Sequence, residues 1–439
     1  MTTVLAFLFV LGVLVFVHEL GHFLAARRVG IRVLTFSLGF GPKLLKTKRG
    51  DTEYCVSLIP LGGYVKMAGE SAEEPRTGAA DEFMSKTKWQ RFQVLIMGPV
   101  MNLITAVVVL AFVLAQGAQV PAYQDEPPVV GAVAKGGPAE AGGIRAGDRI
   151  LTVGGQPVET WEKFDMEVMT RPNRDVPVTL NRGGETLAVT VHTTAAGRYE
   201  VGDAGVLPEA TPIIQSVIPN DPADKAGIKA QDIVLSVDGQ RMATRAQLVE
   251  AISASPERSV SIVVRRDGQE VTVPVTPERR GNRGMIGVTI SEPTKTFKPG
   301  ALEALSLSVQ RNIEGSSLIF RTIGGLFVGE TSFKQLQGPV AIAQLSGESA
   351  QLGWVALFSL MATLSLNLGL LNLFPIPMLD GGHILIMALE GIARRDFSMQ
   401  VKEKMLLAGF VVILMLMVTV IYNDLTRISW LERLMPWRN

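Results

Sequence analysis

A single cysteine, Cys55, excludes a disulfide within this chain and leaves no Cys/His spacing of the zinc-finger kind. Charge is scarce as well. Charged residues are 19% of the 439, and the net charge of +1 gives no sign of nucleic-acid binding. No Lys or Arg precedes Arg27, so the first apolar run lacks the basic leader of a secretory signal peptide and reads as a retained transmembrane helix. Apolar residues, at 47%, are plentiful, and the length allows two or three domains. The long apolar runs predict membrane spans at 1–28, 94–118, 353–383 and 405–422.

Polar residues inside these spans are few and costly. His18 and His22 stand four apart in His18-Glu19-Leu20-Gly21-His22, so on a helix they share one face and can share one metal ion. Glu19, beside the first ligand, can take a proton from a water on that metal. A lone acid at membrane depth costs about 2.5–3.5 kcal/mol on insertion scales, so three ionisable groups there call for coordination or pairing. The pair needs a third ligand from elsewhere. The third span ends in Asn372-Leu373-Phe374-Pro375-Ile376-Pro377-Met378-Leu379-Asp380-Gly381-Gly382-His383, where two prolines unwind the backbone. Asp380 is the expected ligand, with His383 as competitor, since imidazole also suits zinc. In the second span Gly98-Pro99 breaks the apolar run and Asn102 adds an amide, for a bond between helices or for binding substrate. Basic residues Arg27, Arg28 and Arg32, and later Arg394, Arg395, Lys402 and Lys404, place those ends in the cytoplasm, so both termini and residues 119–292 lie outside.

Between the first two spans, residues 33–69 read as four short strands separated by Gly-rich turns, a small sheet that caps the membrane surface or holds an extended substrate by its edge. Residues 70–90 read as loop. Residues 119–292 contain an internal repeat at an offset of 84: Asp148, Leu151 and Val153 recur as Asp232, Leu235 and Val237. The pattern Pro-Ala-x-x-x-Gly-Ile-x-Ala-x-Asp-x-x-Leu-x-Val-x-Gly-Gln resembles circularly permuted bacterial PDZ domains, at 119–207 and 208–292. The second copy has Gln231 where the first has Gly147. Each copy ends near a Gly-Val step, Gly205-Val206 and Gly287-Val288, a candidate loop for binding a peptide carboxylate. His192 reads as an exposed strand residue. Residues 297–350 are amphipathic or linking helices, lying on the membrane or packed on the protein.

In order and placement these motifs resemble the site-2 proteases, the intramembrane zinc metalloproteases, and the resemblance covers nearly the whole chain. It rests on His18-Glu19-Leu20-Gly21-His22, Gly98-Pro99-x-x-Asn102, the duplicated PDZ-like unit and Asn372-x-x-Pro375-x-Pro377-x-x-Asp380-Gly381. It implies one Zn2+ per chain on His18, His22 and Asp380, with Glu19 as catalytic base and Asn372 and Asn367 holding substrate backbone. It further implies an enzyme of the bacterial inner membrane cutting single-span membrane proteins, such as trimmed anti-sigma factors or remnant signal peptides, with the PDZ-like pair as a size filter. Membrane lipid is then its other partner. The expected fold is an α-helical polytopic membrane protein of four transmembrane helices, with a small membrane-associated β-sheet and two tandem PDZ-like α+β domains. A non-catalytic PDZ scaffold would not need Glu19 or the broken helix at Asp380, and a metal transporter would not need the PDZ-like pair.

Overall fold

The computed structural model describes residues 2–70, 77–197, 200–328, 331 and 336–426. The chain divides into two compact units, one built from residues 1–117, 298–327 and 332–439, the other from 118–297 and 328–331.

Among the described residues, four helices of the first unit are long and apolar enough to cross a membrane: Thr2–Arg28, Lys88–Gln116, Trp354–Asn372 and Met399–Thr426. The second starts at Lys88 rather than 94, because Thr87 and Gln90 form a capping box and the first turn is polar. The third apolar run splits. Its helix ends at Asn372, the Pro375 and Pro377 passage is non-helical, and a separate helix runs Asp380–Ile392. The fourth extends beyond 405–422 at both ends, taking in Lys402, Lys404 and Asp424. Glycines bring the spans together: a Cβ at Gly21 would lie 2.4 Å from the Met97 carbonyl oxygen, and one at Gly369 3.0 Å from that of Pro99.

The amphipathic helix Ala301–Phe327 packs on the spans, with Ser308 donating to the Val107 carbonyl (2.6 Å) and Gly315 against Leu366. The next helix, Pro339–Leu352, has Gly338 at its N-cap, which has no side chain to cap with. Asp424 does this from the fourth span, accepting from the N–H groups of Gly338, Val340 and Ala341 at 3.0–3.1 Å. Fully buried Glu390, near the end of Asp380–Ile392, pairs with Lys402 at 2.7 Å and so ties that helix to the start of the fourth span.

The four short strands between the first two spans are arms of two long bent ones, Val33–Arg49 and Thr52–Met67. Phe36 lies opposite both Val65 and Tyr54, and Ser37 opposite both Tyr64 and Cys55. Residues 33–38 therefore run between 63–67 and 53–56, and 63–67 form an edge. Ala68 N–H donates to the Arg32 carbonyl (2.9 Å), so by alternation the N–H groups of Tyr64 and Lys66 face into the sheet while those of Gly63, Val65 and Met67 face outward. Of 70–90, expected to be loop, residues 71–76 lie outside the described ones; a 3-10 turn occupies Phe83–Ser85 and the second span begins at Lys88.

In the second unit the repeat holds element by element. In each copy a short helix (Pro138–Ala141; Pro222–Ala226), an antiparallel sheet and a second helix (Trp161–Met169; Arg245–Ser253) enclose a core, with Ile150 and Leu180 buried in one and Val234 and Val264 in the other. One bond set recurs as well. Arg182 forks onto buried Asp148 at 2.7 Å and reaches the Gly143 carbonyl, while Arg145 N–H donates to the same carboxylate at 2.8 Å. Eighty-four residues on, Arg266, Asp232, Gly227 and Lys229 repeat it within 0.1 Å of each distance. Strands Ala118–Pro121 and Thr294–Phe297 pair to close the unit. His192 is exposed at a strand end and lies 2.8 Å from Asp175.

Candidate metal centre

His18 and His22 sit on one face of the first span, with Nε2 atoms 3.2 Å apart. Room for them comes from the second span. A Cβ at Gly98 would lie 2.3 Å from His22 Nε2 and 2.9 Å from His18 Cε1. Pro99 follows within the helix, and the Val94 carbonyl one turn before Gly98 accepts from His22 Nδ1–H at 2.8 Å. With Nδ1 protonated, Nε2 carries the lone pair that a metal requires. His18 Nδ1 meets the Asn102 side-chain amide at 3.1 Å, and Asn102 Oδ1 has no partner among the described residues. Exchanging the amide oxygen and nitrogen lets Oδ1 accept from His18 Nδ1–H, so that both imidazoles present Nε2 to the same point. Asn102 thus lies behind a ligand instead of lining the cavity.

Asp380 opens its helix. Gly381 and Gly382 let the preceding chain fold back on that helix, since a Cβ on either would lie 2.2 Å from the carbonyl oxygens of Leu373 and Ile376 respectively. Met378, just before, takes a positive φ of 93°, a strained conformation for a side-chain-bearing residue. Asp380 Oδ2 comes to rest 3.2 Å from His18 Nε2 and 3.4 Å from His22 Nε2. His383 is not in this cluster. Tetrahedral ligands about 2.0–2.1 Å from a zinc ion stand about 3.3 Å apart, so the three edges fit one such ion with a fourth position open.

The cluster lines a cavity of about 240 Å³ together with Glu19, Asn372, Glu70 and the sheet edge at Gly63–Val65. The Val65 N–H lies against the Glu19 carboxylate, and Gly63 leaves that side chain room, a Cβ there falling 3.0 Å from Glu19 Cγ. Asn367 lies elsewhere, in an apolar cavity of about 560 Å³ with Leu14 and Ile319. At the Gly-Val steps of the repeats, Gly205 N–H already donates to Asp203 (2.8 Å), and Asp221 Oδ2 stands 2.1 Å from where a Cβ on Gly287 would be. Val206 and Val288 pair with Val133 and Val217 in their strands. The sequence reading missed Gly63, Glu70 and the Val94 carbonyl, and it did not give Gly98 the role of making room for the imidazoles.

Residues 6–416 match the model of peptidase family M50. The chain is 34% identical over 443 residues to a Pasteurella multocida protein named "Putative zinc metalloprotease PM1991", covering 96% of this chain and 98% of that one. It is 33% identical over 459 residues to the Escherichia coli "Regulator of sigma-E protease RseP", with the same two coverages, 96% and 98%. Among solved structures, a PDZ domain of an SdrC-like protein from Listeria monocytogenes matches at TM-score 0.18 and 16% identity, over 19% of this chain and 90% of that one.

Proposed function

The chain belongs to peptidase family M50, the metalloproteases of the site-2 type, and on that premise we propose that it is a zinc-dependent endopeptidase cutting peptide bonds within the transmembrane segments of single-span proteins. The observation that carries this reading is the triangle of His18, His22 and Asp380, with edges of 3.2–3.4 Å, two of whose corners lie on a helix long and apolar enough to span a membrane. These three residues would hold one zinc ion per chain. Bound there, zinc supplies a Lewis acid and lowers the pKa of a water to about 7. Glu19 accepts the proton of the attacking water and passes it to the leaving amine. Asn102 and the Val94 carbonyl hold the two imidazoles in the ligating tautomer. Asn372 bonds the substrate backbone near the scissile bond.

A substrate helix must unwind first, because its peptide groups are bonded to one another. The edge at Gly63–Met67 offers replacements by strand addition, with Val65 opposite the catalytic base. Substrates of the anti-sigma type, already trimmed outside the membrane, and remnant signal peptides fit this chemistry. The setting is the bacterial inner membrane, with basic residues marking the cytoplasmic ends and the PDZ-like repeats and both termini in the periplasm. Carboxylates of the chain itself at both Gly-Val steps favour a size filter over peptide capture.

The test is cleavage of a reporter membrane helix by the purified chain, paired with metal analysis. Glu19→Gln keeps zinc and loses turnover, a chelator abolishes turnover, and Asp380→Ala loses zinc while His383→Ala keeps it. Turnover by Glu19→Gln, or full zinc in Asp380→Ala, overturns the assignment.

A further inference from the structure

Val65 and Met67, two of the residues whose N–H groups face outward from the sheet edge, already have acceptors inside the chain. Val65 N–H faces Glu19, and Met67 N–H, one pairing step along, donates to Glu70 Oε2 at 3.1 Å. Glu70 is exposed, yet its carboxylate turns back to the strand. A built turn sends it there. Gly69 adopts a φ of 67°, Phe83 N–H anchors the Ala68 carbonyl at 2.8 Å, and buried Glu82 packs against Gly69 while accepting from Thr77 and Gly78. Glu70 also lines the cavity of the metal cluster. An open edge beside an active site invites pairing with any extended chain, and a carboxylate on its N–H satisfies that donor until something displaces it.

We infer that Glu70 is an internal competitor of the substrate backbone: its carboxylate holds the Met67 N–H that a substrate carbonyl must take over for strand addition at Gly63–Met67. Glu70 thereby sets the threshold for engagement, so that only a segment unwound enough to present a free carbonyl at that position displaces it. The inference rests on strand addition as proposed above, and it concerns substrate binding, separate from the chemical step.

The experiment measures KM and kcat of the full chain in detergent on a single-span reporter, with zinc content checked in each variant. Freeing the Met67 N–H with Glu70→Ala lowers KM about three- to tenfold, the worth of an ordinary hydrogen bond net of solvation at this exposed carboxylate, and leaves kcat within about twofold. Glu70→Gln, whose amide oxygen is a weaker acceptor, falls between. An unchanged or raised KM with zinc intact overturns the inference. A second readout separates it from its premise. In a Glu19→Gln background, a cysteine at exposed Lys66 (Lys66→Cys) is cross-linked to a cysteine in the reporter helix, with and without Glu70→Ala. A higher yield with Glu70→Ala supports the inference. Equal yields remove Glu70 from the account and leave strand addition standing, and no cross-link in either removes strand addition itself.

Discussion

A methyl group at position 98 has nowhere to go. The Cβ of Gly98→Ala would lie 2.3 Å from His22 Nε2 and 2.6 Å from its Cε1, against a comfortable separation of about 3.5 Å. The ring or the second span must therefore retreat by about 1 Å. His22 cannot swing freely, because its Nδ1–H is bonded to the Val94 carbonyl of the same second span. Metal sites tolerate errors of about 0.2 Å in ligand position, so the triangle no longer closes on one ion. Losing the support of a ligand costs about 10–100-fold in metal affinity, and displacing the donor itself belongs at or beyond the upper end, about 2.7 kcal/mol for 100-fold. The assay is competition for zinc against a chromophoric chelator, with the purified chain in detergent. Gly12→Ala on the first span is the control, since nothing lies within 4 Å of its Cβ, and its zinc affinity stays at the wild-type value. Alanine is intrinsically better than glycine inside a helix by about 1 kcal/mol, so helix propensity cannot account for a loss. Zinc affinity of Gly98→Ala within about threefold of wild type would refute the packing argument.

Two further outcomes concern the repeats. The Arg182 fork holds the Asp148 carboxyl below its usual range; for Asp232, burial pushes upward but is outweighed by Arg266 and the Lys229 N–H. Lowered folded-state values mean that the unfolded chain binds more protons, so this stabilisation is complete above about pH 4 and is lost as pH falls through the folded-state values. Hydrogen exchange across residues 143–182 then shows Arg182→Ala less protected than wild type at pH 7, with the gap narrowing below about pH 4. Gln231 takes a φ of 71° where the first repeat has Gly147 at 88°. Gln231→Gly therefore stabilises the second repeat by about 0.5–1 kcal/mol, read as a raised unfolding midpoint in urea, and a lowered midpoint would contradict the strain.

The metal pair was legible because ionisable groups in an apolar run have few cheap explanations. The choice between Asp380 and His383 was not, since both follow the two prolines and only the backward fold at Gly381 and Gly382 sets which side chain meets the imidazoles. The start of the second span escaped hydropathy because a capping box is polar. Arg182 and Arg266 share the offset of 84 yet lie beyond the stretch where the repeat is dense, and neither announces its aspartate 34 residues earlier. Asn102 and Asn367 carried the right residue type for holding substrate, but the helix turn on which each sits sends one behind His18 and the other to a separate cavity. The four short runs of the sheet were visible, whereas the pairing that leaves 63–67 at an edge depends on strands that bend at Gly39 and Gly41, with φ of 93° and 84°.

That edge also has a length. A helix advances about 1.5 Å per residue and a strand about 3.3 Å, so a substrate laid along the five positions Gly63–Met67 gains about 9 Å on leaving its helix. With a membrane-spanning substrate held by strand addition as proposed, the added length has to be taken up along the bilayer normal, and one end of the substrate must slide relative to the membrane before its bond is cut. A chain whose outer part is a folded domain resting on the membrane has little slack to give; one with a short free stump has enough. On this view the enzyme responds to mechanical freedom at the end of its substrate, and clearing an outer domain supplies that freedom whatever the sequence near the cut.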